Sequence, residues 1–119
     1  MAIDDIKQLL MGKRYAELKE KIKYMQIQDI AEVIDELDTK NAIILFRLLP
    51  KEIAADVFSY LSSERQGEIS MMIDENELNE IMNDLFFDDK IDFLEEMPAN
   101  VVKRILRNTS EAERKLINQ

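Results

Sequence analysis

"QDIAEVIDEL", residues 28–37, carries Ile30, Val33, Ile34 and Leu37 at the i, i+3, i+4, i+7 spacing of one helical face. The same face returns 24 residues later, and again 24 after that. Val33, Val57 and Ile81 share one register, Ile34, Phe58 and Met82 a second, and Leu37, Leu61 and Leu85 a third. Ile30, Ala54 and Leu78 keep the step, as do Leu45, Ile69 and Phe93, and Leu49, Ile73 and Met97. Agreement of so many registers over three copies marks an internal repeat. A weaker fourth copy follows in Val102, Ile105, Leu106 and Ile117.

Within each copy the punctuation divides the chain into two short helices. Asp38, Ser62 and Ser110 stand at equivalent places after the first helix, each able to cap the second. Ser110 has Glu113 three residues on, the spacing of a capping box. Pro50 and Pro98 fall between copies, where proline can open a helix at its first position. Ahead of the repeats, Ile3, Ile6, Leu9 and Leu10 mark a helix ending at Gly12, and Tyr15, Leu18, Ile22 and Met25 mark another. The expectation is an all-α solenoid of about ten short helices in 24-residue pairs, with a plain helical bundle as the alternative. It forms one domain over residues 1–119, with N-terminal helices over 1–25 and repeats over 26–119. Met71, Met72, Met82 and Met97 are expected in the core.

Composition narrows the function classes. Of 119 residues, two are Gly and two Pro, so tight β-turns are scarce and helices are the default. With no Cys and no His there are no disulfides, no Cys/His zinc sites and no imidazole acid–base chemistry. The longest apolar run, Ala42 to Phe46, is far below the roughly 20 residues of a membrane span, and no signal peptide opens the chain. A net charge of −9 argues against a nucleic-acid partner, which needs a basic surface.

That charge is concentrated. Between Ile73 and Met97 stand ten acids and one base, Lys90, so this segment holds the whole excess. On a helical wheel Asp88, Asp89, Asp92, Glu95 and Glu96 share an arc of roughly 120°, opposite Ile91, Phe93, Leu94, Met97 and Lys90. An ordinary solvated helix can carry such a face, and Asp88 and Asp89 in the first turn suit the helix dipole. Yet like charges one turn apart repel, and no neighbouring base relieves them. The functional readings are a hard divalent cation or a basic partner. Carboxylates without Cys or His suit Mg²⁺ or Ca²⁺, and no EF-hand loop is present. Mg²⁺ keeps several waters and takes one or two carboxylates, so Asp88 and Asp92, one turn apart, form a half-site.

Three stretches, "QDIAEVIDEL" (28–37), "LFRLLPKEIAADVFSYLSSERQ" (45–66) and "LFFDDKIDFLEEMP" (85–98), together resemble the cytosolic N domain of MgtE-type magnesium transporters. The likeness runs from about Met25 to Gln119. It implies a right-handed superhelical domain at the cytoplasmic face of the membrane, followed by paired CBS domains, a connecting helix and a pore, in a homodimer. It implies further that Mg²⁺ bridging the acidic face to the CBS domains keeps the pore shut. Asp88, Asp89 and Asp92 match the family's DDxxD stretch, and Asp56 of "IAADVF" matches another family acid. Phe86 and Phe87 depart from the family, which often has a polar residue and Pro there; they are expected to pack between repeats, with an exposed docking patch as the alternative.

Two further classes stand beside this one. A protein-interaction scaffold, similar to the helical repeats of flagellar motor switch proteins, would turn the same face to a basic partner. An enzyme could use the Asp88–Asp92 pair for acid–base work, but a convex helix offers no pocket to raise a pKa.

Overall fold

The computed structural model describes residues 2–107. Among them the backbone forms nine α-helices and no strand. These are α1 (Ala2–Met11), α2 (Tyr15–Lys23), α3 (Ile27–Glu36), α4 (Thr39–Arg47), α5 (Lys51–Tyr60), α6 (Ser63–Met72), α7 (Glu75–Asp84), α8 (Phe87–Glu96) and α9 (Ala99–Leu106). The fold is all-α, as expected. Helices α3, α5, α7 and α9 begin 24 residues apart, and so do α4, α6 and α8. The expected tenth helix, with its Ser110–Glu113 capping box, lies outside the described residues.

Helix starts follow from local chemistry. The Asp38 carboxylate accepts from the backbone N–H of Asn41 at 3.3 Å, Ser62 Oγ from Arg65 at 3.2 Å, and Asp74 from Glu77 at 2.8 Å. Each satisfies a donor that the first helical turn leaves open. Pro50 and Pro98 correct the expectation by one residue: both are N-caps, and α5 and α9 begin at Lys51 and Ala99. Their ψ angles of 143° and 156° are extended, while their carbonyls accept the first helical bonds from Ala54 and Val102. Proline therefore marks the break and still seeds the helix.

Helix α1 ends at Met11, just before its sequence marker Gly12. Arg14 N–H bonds to Leu9 O at 2.9 Å and Lys13 N–H to Leu10 O at 3.1 Å, the paired bonds of a Schellman motif. The left-handed residue that this motif requires is Lys13, at φ 54°, and not Gly12.

The chain divides into two compact units, Met1–Leu61 and Ser62–Gln119. In the first, α1 packs on α2, and α3 packs on both α4 and α5. Ile30, Ile34, Leu45 and Val57 are buried there, and the Phe46 and Phe58 rings meet edge to face at 6.0 Å. Burying side chains of this size stabilises by about 1.5–3 kcal/mol each.

In the second unit, α9 packs on α6 and α7, around buried Ile69, Ile73, Leu78, Met82, Phe93 and Ile105. Arg104 of α9 caps α6 from the side. Its guanidinium donates to the carbonyls of Ser70 and Ile73 and lies 3.9 Å from Glu75. Met82 and Met97 are core residues, as expected, but Met71 and Met72 are exposed. The reason lies in α6 itself. Its buried side is formed by Arg65, Gln66, Ile69 and Ser70, with Ser70 Oγ donating to Gln66 O at 2.7 Å and Arg65 paired to Glu68 at 3.4 Å.

Candidate metal-binding face

Helix α8 sorts its side chains by polarity. Phe93, Leu94 and Met97 are buried, and Asp88, Asp89, Asp92, Glu95 and Glu96 are all exposed. At 3.6 residues per turn the five carboxylates occupy one side of the helix. Lys90 stays with the buried group at 3% exposure, which withdraws the segment's one base from the acidic face. No buried side-chain polar atom among the described residues lacks a hydrogen bond, so this buried arrangement is satisfied within the fold.

The carboxylates differ in what holds them. Glu96 accepts a hydrogen bond from Ser63 Oγ at the start of α6, which ties the end of α8 to α6. Among the described residues, the side chains of Asp88, Asp89 and Asp92 have no hydrogen-bond or ion-pair partner. Asp88 and Asp92 stand one turn apart at i, i+4. Asp89 lies beside them in the first turn, where the helix dipole favours it.

Asp56 lies in the other unit, on α5, where it too is exposed. Its backbone carbonyl accepts from Ser59 Oγ at 2.7 Å. Among the described residues no group of three or more carboxylates comes together closely enough to hold a metal ion. The α8 carboxylates offer oxygen donors, the type that suits a hard divalent cation such as Mg²⁺.

One neighbouring feature departs from the wheel. Ile91, placed on the buried arc, is only partly covered, and it sits four residues after Phe87. Phe86 and Phe87 are 76% and 45% exposed. The signal was present in the sequence: at position 86 the repeat substitutes an apolar side chain for the capping Asp38 and Ser62, and Phe86 makes no side-chain cap.

Residues 25–119 match the family model described as the MgtE intracellular N domain. No curated protein matches the chain. No described helix is long and apolar enough to cross a membrane.

Proposed function

The chain belongs to the MgtE intracellular N domain family, and from that premise we propose that it is the cytosolic magnesium-sensing domain of a magnesium transporter. It catalyses nothing. Its helix pairs stack into a right-handed superhelix, a reading supported by the 24-residue recurrence of helix starts. Asp88 and Asp92, with Asp89 beside them, supply one half of a weak Mg²⁺ site, and the CBS-domain pair of the same transporter supplies the other. Asp56 is assigned as a further ligand on family likeness alone.

One observation carries the reading. Three aspartates lie exposed and, among the described residues, without side-chain partners on one side of a helix whose only base is buried. Such a face repels a second acidic surface, and a divalent cation reverses the sign of that interaction. At 4 Å two unit charges in water interact by about 1 kcal/mol. Salt screens them beyond about 8–10 Å, so the effect acts only near contact. Falling Mg²⁺ then parts the two domains, and the pore opens.

Sedimentation of the chain mixed with the CBS-domain pair of its transporter tests this. Mg²⁺ should promote association, and the Asp88→Asn/Asp92→Asn variant should lose the response. Association indifferent to both the ion and the substitutions would overturn the reading.

A further inference from the structure

We propose that the outer face of α8 is also a docking surface for a basic amphipathic helix of a partner protein. Two parallel rows on this helix support it. Phe87 and Ile91 form an i, i+4 apolar row, one exposed and one half-buried. Asp88 and Asp92 form an adjacent acidic row, displaced by about 100° around the axis. Phe86, the N-cap residue just before this row, is a second exposed aromatic at the start of the helix.

Exposed aromatics at a helix start are not what the fold itself requires. Asp38, Ser62 and Asp74 cap their helices with side-chain hydrogen bonds, and Phe86 forgoes that bond while leaving its ring 76% exposed. Buried aromatic anchors rimmed by charge are the usual content of a helix-binding surface. Charge selects the occupant. On α8 itself Asp88, Asp89, Asp92, Glu95 and Glu96 are exposed and Lys90, its one base, is buried, so the rim that this helix presents is negative. Such a rim repels anionic lipid surfaces and nucleic acid. It complements lysines or arginines flanking an apolar helical stripe, which would lie on Phe87 and Ile91. This inference stands apart from the magnesium reading, since it needs only the two rows.

The test uses the whole chain and two synthetic peptides of about 15 residues, near the length at which helices become stable in water. One places leucines at helical spacing among lysines; the other has the same composition in scrambled order. In about 0.15 M salt, fluorescence anisotropy should show the amphipathic peptide binding at least about tenfold more tightly than the scrambled one. Phe86→Ser/Phe87→Ser should lose about tenfold in affinity for it. Asp88→Asn/Asp92→Asn, which alters only exposed side chains, should weaken it as well and covers the case in which the first variant does not fold. Equal affinity for both peptides, absence of binding, or unchanged affinity in the folded phenylalanine variant would overturn the proposal.

Discussion

Arg104 of α9 donates a 2.6 Å hydrogen bond to the carbonyl oxygen of Ile73, the C-cap residue of α6, 31 positions earlier in the chain. The same guanidinium serves the Ser70 carbonyl, so one side chain satisfies two acceptors that the helix end leaves open. Because donor and acceptors are largely shielded, Arg104→Met should leave those carbonyls short of partners. Urea unfolding is expected to show a loss of about 1.5–3 kcal/mol. An unchanged midpoint would mean that water replaces the guanidinium without penalty.

Lys13 holds a left-handed backbone at φ 54° to close α1. A side chain in that region costs roughly 1–2 kcal/mol, partly offset by the chain entropy that glycine loses on folding. Lys13→Gly should therefore raise stability by about 0.5–1 kcal/mol, read from the thermal midpoint. A fall would show that the lysine stem contributes packing that outweighs its backbone strain.

At the start of α8, Phe86 occupies the place where Ser62 caps α6. Phe86→Ser should supply the missing acceptor and stabilise the isolated chain by about 0.5–1 kcal/mol. Little burial is lost, since the ring is mostly exposed. A destabilised variant in calorimetry would locate hidden contacts for the ring.

Asp92 has Asp88 one turn before it and Glu96 one turn after. Asp92→Asn relieves both repulsions, and a gain of about 0.5 kcal/mol is expected at low ionic strength. In about 1 M salt the gain should vanish, because the screening length falls to about 3 Å. A loss of stability at low salt would reveal an attractive partner for this carboxylate.

The short helices were legible because apolar positions recur at helical spacing and prolines and capping residues fall between them. The sorting of α8 was legible too, since five acids on one arc and Phe93, Leu94 and Met97 on the other leave a single way to bury the helix. Other features depend on packing that no local pattern encodes. Met71 and Met72 were expected inside, but α6 buries Gln66 and Ser70, with Ser70 Oγ donating to the Gln66 carbonyl, and leaves both methionines outside. Gly12 marked the end of α1, while the left-handed residue of the stop is its neighbour Lys13. The Ser63–Glu96 bond joins residues 33 apart and follows only from how α6 and α8 lie in the folded unit.

The central claim is that Asp88 and Asp92 are Mg²⁺ ligands rather than a merely solvated row, and a magnesium titration of the isotope-labelled chain followed by NMR tests it most directly. The account predicts saturable shifts confined to Asp88, Asp89, Asp92 and their neighbours on α8, absent from Asp88→Asn/Asp92→Asn and strengthened by the CBS-domain pair. No local response on α8, even with that pair present, would contradict it.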